Sequence, residues 1–259
     1  MKLAAAAAAA AVLLSACQVV SSSRPIRILG ASSLQDVLPA LASAYEADGG
    51  TPIQPSFNGS SQLRVQIEQG ASADLFLSAD AHTVDLLVAA GLGDGAGAPV
   101  AANRLALVVP ATTNEAAAVT DWTQLATAGV RIVAAADEVP IARYADRLVA
   151  ELARAGGAPT GFADAYAANV VSHEDNVRAV LAKVEIGEAD AAFVYTTDAA
   201  VSDAVHVLDL PAGTGVSTTY WGLVLADASA AEAARDFLTW LAEAEAQAIL
   251  AEHGFASVP

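Results

Sequence analysis

Ile28-Leu29-Gly30-Ala31-Ser32-Ser33-Leu34-Gln35-Asp36-Val37-Leu38 is the stretch on which the fold turns. A short apolar run ends in a glycine and two serines. A helical pattern follows at once, with Leu34, Val37, Leu38, Leu41 and Tyr45 on one face. Ser33 followed three residues later by Asp36 is a helix-start pattern. A helix start carries unpaired backbone N–H groups and a partial positive charge. A serine placed there either caps the helix or donates to an anion.

The chain repeats the device. Gln54-Pro55-Ser56-Phe57-Asn58-Gly59-Ser60-Ser61-Gln62-Leu63 is again a strand-like run, a glycine and a serine pair, leading into a helix that carries Leu63 and Ile67 and stops at Gly70. Two strand–turn–helix units put both helix starts at one edge of a parallel sheet, beyond the carboxyl ends of its strands, where open α/β sheets take their ligands. Ser33 and Ser60 are therefore expected to face one small space.

The alternation continues outward. Strands are expected at Ile26–Leu29, Thr51–Phe57, Asp74–Ser78, Arg104–Val109, Arg131–Ala136, Asn169–Val171, Ala191–Tyr195, Val205–Leu210 and Thr218–Leu225. Helices are expected over 34–47, bent by Pro39, and over 61–69, 81–90, 140–155 and 177–187, with one or two more between Ser229 and Gly254. The glycine-rich run Gly91-Leu92-Gly93-Asp94-Gly95-Ala96-Gly97 follows a helix rather than a strand, so it reads as a surface loop and not as a dinucleotide turn. Such alternation argues an α/β fold. Residues 25–103 plus 216–259 read as one lobe and 104–215 as a second lobe inserted in it. The chain then crosses between the lobes twice, near Asn103–Arg104 and 215–218.

Composition narrows the function. The chain has 259 residues, 55% apolar and 16% charged, enough for a buried core. Its formal charge of −17 disfavours nucleic acid and offers an anion no long-range attraction, so an anion site here has to work through local hydrogen bonds. Cys17 is the only cysteine, which excludes an internal disulfide and a multi-cysteine metal site. It follows Lys2, an apolar run over 3–14, and Leu14-Ser15-Ala16. That is an export signal ending in a lipobox-like motif, with residues 18–24 as a polar tether. Acyl chains on Cys17 would hold the protein on the membrane at about 0.8 kcal/mol per buried CH₂. The four histidines His82, His173, His206 and His253 are scattered, and no Gly-x-Ser-x-Gly nucleophile turn surrounds Ser33 or Ser60. No catalytic set emerges, and His173-Glu174-Asp175 reads as a solvated helix start.

The chain from about residue 25 to 256 resembles the molybdate-binding proteins of bacterial ABC importers. The resemblance rests on Ala31-Ser32-Ser33-Leu34, on Ser56-Phe57-Asn58-Gly59-Ser60-Ser61-Gln62-Leu63, and on Ala73-Asp74-Leu75-Phe76-Leu77-Ser78-Ala79-Asp80. Val139-Pro140, Glu174-Asp175-Asn176-Val177-Arg178, Gly187-Glu188-Ala189-Asp190-Ala191-Ala192-Phe193-Val194-Tyr195 and Gly254-Phe255 follow in order. It implies a two-lobed type II periplasmic-binding-protein fold, with two mostly parallel sheets, helices on both faces and a ligand cleft between the lobes.

The resemblance also implies a ligand and its donors. Molybdate or tungstate would be held by hydroxyl and backbone donors at Ser33 and Ser60, by the N–H groups of Ile141 and Val177, and by the Tyr195 hydroxyl. No separate cofactor and no enzymatic activity are implied. The partners it implies are an ABC permease with its ATPase, and a monomer outside the cytoplasmic membrane is expected. The family's usual Ala-Gly after Val-Pro is Ile141-Ala142 here, a change that leaves a backbone donor and is expected either to narrow the cleft or to push the ligand. Sulfate or another tetrahedral anion is the alternative ligand, and an enzyme on the same fold the alternative class.

Overall fold

The computed structural model describes residues 24–112 and 119–258. The expected export signal, Cys17, the tether up to residue 23, and Thr113 and Asn114 lie outside the described residues.

The elements run β1 (Ile26–Ala31), a 3-10 turn (Ser32–Leu34), α1 (Leu38–Ala47), β2 (Ile53–Asn58), α2 (Ser60–Glu68), β3 (Leu75–Ser78), α3 (Ala81–Ala89) and β4 (Ala98–Pro110). A second 3-10 turn (Trp122–Ala126) leads to β5 (Ile132–Ala135), α4 (Pro140–Leu152), α5 (Phe162–Ala168), β6 (Val170–Glu174), α6 (Val177–Glu185), β7 (Ala191–Tyr195) and α7 (Thr196–Ala200). The chain closes with β8 (Val205–Leu208), β9 (Ser217–Val224), α8 (Ala231–Trp240) and α9 (Ala244–Glu252).

The strands form one continuous path, β2-β1-β3-β9-β4-β7-β5-β6, with β8 also on β4. β4 divides it into the sheets of two lobes. Its residues 98–104 pair antiparallel with β9, and its residues 105–110 pair antiparallel with β7 and β8. In the first lobe β1 pairs parallel with β2 and β3, while β9 runs against both β3 and β4. In the second, β5 pairs parallel with β6 and β7, and β4 is the reversed strand. Each lobe is thus a parallel set with one strand of opposite sense.

Several local expectations shift. The first helix begins at Leu38 rather than Leu34, so Pro39 sits in its first turn, where a missing N–H costs nothing, and not inside a bent helix. Ser33 and Leu34 lie in the preceding 3-10 turn, and Ser33 caps nothing. β4 starts at Ala98 rather than Arg104, because the end of the glycine-rich loop is drawn into pairing with β9. His173 and Glu174 belong to strand β6 and not to a helix start; their backbones pair with Ala134 and Ala135 of β5. The short helices α5 and α7, of 7 and 5 residues, carry too few turns for a periodic pattern to show in the sequence.

The main core runs through both lobes, and α1 packs on α8 through Tyr45, whose ring centroid lies 5.0 Å from that of Phe237 and 5.3 Å from that of Trp240. Asp74 fastens the first lobe from inside. It is fully buried and accepts from the N–H of Arg27 at 2.8 Å, the N–H of Ala230 at 3.0 Å and the hydroxyl of Ser229 at 3.0 Å. It therefore ties β1 and β3 to the entry of α8. Burial pushes its pKa up, but these donors and the Arg27 charge outweigh that and hold it below the ordinary carboxylate value. A lowered native pKa stabilises above the unfolded-state value and is lost as pH falls through the native one. Asp74→Ala should therefore lose about 3 kcal/mol in urea unfolding at pH 7, because charged hydrogen bonds are lost and donors stranded. The gap to the parent protein should narrow as the pH is lowered below 4.

Candidate binding site

The six parallel strands of the two lobes end around one hollow. Ala31, Ser32 and Ser33 follow β1, Gly59 and Ser60 follow β2, and Ala79 follows β3. From the other lobe, Val139, Pro140 and Ile141 follow β5, Val177 follows β6, and Tyr195 ends β7. All five residues expected to form the site, Ser33, Ser60, Ile141, Val177 and Tyr195, line this single space. It is small, about 10 Å³.

The donors at Ser60, Ile141 and Val177 are free for a local reason. Ser60 is the first residue of α2, Ile141 the second of α4 and Val177 the first of α6. First-turn N–H groups have no acceptor in their own helix. Asn176 caps α6 by accepting from the N–H of Ala179, three residues on, which leaves the Val177 N–H to the hollow. The Ser60 hydroxyl accepts from the N–H of Ala79 at 3.1 Å, so its own proton remains to be given. The Ser33 hydroxyl lies 2.7 Å from that of Tyr220.

Tyr195 differs from the others. Its side chain is 1% exposed, and its hydroxyl has no hydrogen-bond partner among the described residues. Burial, followed by the fields of Tyr220, Tyr144, Asp198 and Asp80, pushes its pKa well above the usual phenol value, so the group stays protonated and can donate.

Among the described residues no charged side chain lines the hollow. The two nearest arginines in sequence are engaged across the lobes: Arg143 of α4 with Asp80, the N-cap of α3, and Arg178 of α6 with Asp36. Arg178 also pairs at 2.7 Å with Asp198 of α7, whose carboxylate is fully buried. Burial raises the Asp198 pKa to about 6, against the pull of Arg178 and of the Tyr195 N–H. Asp36, read from the sequence as part of a helix cap, is instead an interlobe partner.

A further close approach involves Gly59. A Cβ at this position would stand 2.3 Å from the carbonyl oxygen of Asp175 in the opposite lobe. Asn103 and Tyr220 stand behind Ser33 and also escaped the sequence reading. Neither sits in a motif, and only pairing of β4 with β9 brings them there. Arg143 and Arg178 carried a signal that was left unused, since each lies within two residues of a lining residue.

Among the described residues no group of three or more His, Cys, Asp or Glu side chains is placed to hold a metal ion, and no helix is long and apolar enough to cross a membrane.

Comparison with known proteins agrees with this architecture. The molybdate-binding protein ModA of Mycobacterium tuberculosis strain H37Rv is 32% identical over 238 residues, covering 90% of this chain and 85% of that protein. The periplasmic molybdate-binding protein of Azotobacter vinelandii superposes with a TM-score of 0.74 at 21% identity, over 90% of this chain and 99% of that one. The sulfate-binding protein SubI of M. tuberculosis H37Rv superposes at 0.78 with 18% identity, over 90% and 87%. Both superpositions speak to the fold alone. A family model described as bacterial extracellular solute-binding protein matches residues 26–256, nearly the whole described chain, and the chain belongs to that family.

Proposed function

We propose that this chain is an exported receptor that closes on a small tetrahedral oxyanion, molybdate or tungstate, and hands it to an ABC permease and its ATPase. Ser33 and Ser60 give hydroxyl donors from the first lobe. Ile141 and Val177 give backbone N–H groups from the second, and Tyr195 gives its hydroxyl. The observation that carries this reading is the Tyr195 hydroxyl, buried without a partner among the described residues and sharing one hollow with Ser33, Ser60, Ile141 and Val177.

A fully ionised oxyanion offers only acceptors, so donors without acceptors suit it. Each hydrogen bond to a charged group is worth about 1.5–3 kcal/mol, so five suffice for tight binding without a lysine or arginine. The molybdate-binding relative at 32% identity supports the choice of ligand.

The lobes are 25–103 plus 216–259 and 104–215, and they hinge where β4 and β9 cross, near Asn103–Arg104 and 215–218. The ion pairs Arg143–Asp80 and Arg178–Asp36 and the contact of Gly59 with Asp175 belong to the closed form. Lipid on Cys17 tethers the receptor, which works as a monomer, to the outer face of the cytoplasmic membrane.

Titration calorimetry with molybdate tests the site. Tyr195→Phe should weaken binding about 10- to 100-fold, the loss of one charge-assisted bond. The same change should raise the melting temperature of the anion-free protein, because it removes a buried hydroxyl that nothing satisfies. Loss of stability with unchanged affinity would refute the assignment. Gly59→Ala should cost about tenfold or more in molybdate affinity by holding the lobes apart, with the anion-free melting temperature shifted by no more than about 3 °C. Cys17→Ala should move the protein from the membrane to the soluble fraction on cell fractionation.

A further inference from the structure

Two lining residues of the second lobe, Tyr195 and Val177, are joined behind the hollow by one carboxylate. Tyr195 ends β7, and Asp198 stands three residues on, in α7. Oδ2 of Asp198 accepts from the Tyr195 N–H at 3.3 Å. Oδ1 lies 2.7 Å from Nε of Arg178, the residue after Val177 at the start of α6. Asp198 is fully buried. A carboxylate shut away from water needs a cation held against it, so the inner edge of the Arg178 guanidinium is fixed.

The outer edge reaches elsewhere. A guanidinium is a flat fork whose Nε and Nη donors point in different directions, so it can serve two carboxylates at once. Nη2 of Arg178 pairs with Asp36 of the first lobe. Asp36 lies two residues beyond the 3-10 turn that carries Ser33. One side chain thus runs from the carboxylate behind Tyr195 to the segment that presents Ser33. A pair between the partly exposed Asp36 and a freely moving arginine would be worth almost nothing, because ordering the long side chain offsets the attraction. Here Asp198 has already ordered it.

We propose that Asp198 and Arg178 are positioning residues for release: Asp198 anchors Arg178 as a strut to Asp36, and the strut slows escape of the bound anion by holding the donors of the two lobes together. The proposal rests on the oxyanion reading of the site. It predicts coupling between Asp36 and Asp198, two carboxylates in different lobes that work through one guanidinium.

The test is a double-mutant cycle on the full chain at pH 8, where Asp198, pushed up to about 6 by burial, is ionised. Capture of labelled molybdate and its release into excess unlabelled molybdate are timed separately, with affinity from calorimetry and each variant's anion-free melting temperature beside them. Asp36→Asn should speed release about threefold, the worth of one screened ion pair, and leave capture within about twofold. In an Asp198→Asn background, Asp36→Asn should add nothing, because the unanchored arginine no longer holds the first lobe. A loss that instead grows in that background is the sign expected if the two carboxylates merely repel each other or compete for Arg178, and it overturns the strut. So does an equal loss in both backgrounds, or an unchanged release rate in Asp36→Asn alone. Arg178→Lys is the second variant, for use if Asp198→Asn does not fold. Its single ammonium stays with the buried carboxylate, so Asp36→Asn should again add nothing; a threefold loss there overturns the strut. In all these failures the site stands if Tyr195→Phe still weakens molybdate. Unchanged affinity in Tyr195→Phe overturns the reading of the site, and the strut's role in release with it.

Discussion

One backbone ladder sets the geometry of this molecule. β4 keeps a single direction for 13 residues but changes partners along the way, from β9 to β7 and β8. The parallel strands of the first lobe run in the same sense as β4 and lie beside its beginning. Those of the second lobe run against it and lie beside its end. Both sets therefore point their carboxyl ends at the middle of β4, toward each other. Helix starts follow strand ends in α/β units, so the free N–H groups of two lobes are brought face to face by strand polarity alone.

That arrangement explains how a chain of net charge −17 can offer a site suited to an anion. Donors fixed in the fold need no reorganisation and carry no formal charge to be desolvated. They act only at hydrogen-bond range, where the overall negative field is outweighed by direct contact. Two of the serines are tied from behind: the Ser60 oxygen accepts from the N–H of Ala79, and the Ser33 hydroxyl shares a hydrogen bond with that of Tyr220. The unpartnered Tyr195 hydroxyl is a cost that the folded chain bears by itself, and a cost of this kind persists where a ligand relieves it.

The contacts between the lobes include two ion pairs of modest strength. Arg143 and Asp36 are each more than a third exposed, so their interlobe pairs are screened and worth little individually. The Arg178–Asp198 pair is different, since the carboxylate is fully buried and leaving it alone would be expensive. Arg178 is therefore anchored in its own lobe and extends from there to the other. Gly59 makes the backbone approach possible, because any side chain there would meet the Asp175 carbonyl.

Local pattern made much of this legible. The repeated strand–Gly–Ser-Ser–helix unit contained the parallel sheet, its ligand edge and the two serines, because a turn and a helix start are encoded within a few neighbouring residues. The sequence by itself determined the α/β class, the five lining residues through their resemblance to a family, and the absence of cations among them. It misplaced the start of α1, since a proline in a periodic run reads equally as a bend or a first turn. It also missed α5, α7 and nearly the first half of β4, whose conformation comes from tertiary packing and pairing. Only the tertiary structure decided that Asp36 reaches Arg178, that Gly59 touches Asp175, and that Asn103 and Tyr220 stand behind Ser33. Those pairs are 70 to 190 residues apart in the chain, give or take, and the direction of a hydroxyl proton depends on what such distant neighbours donate and accept.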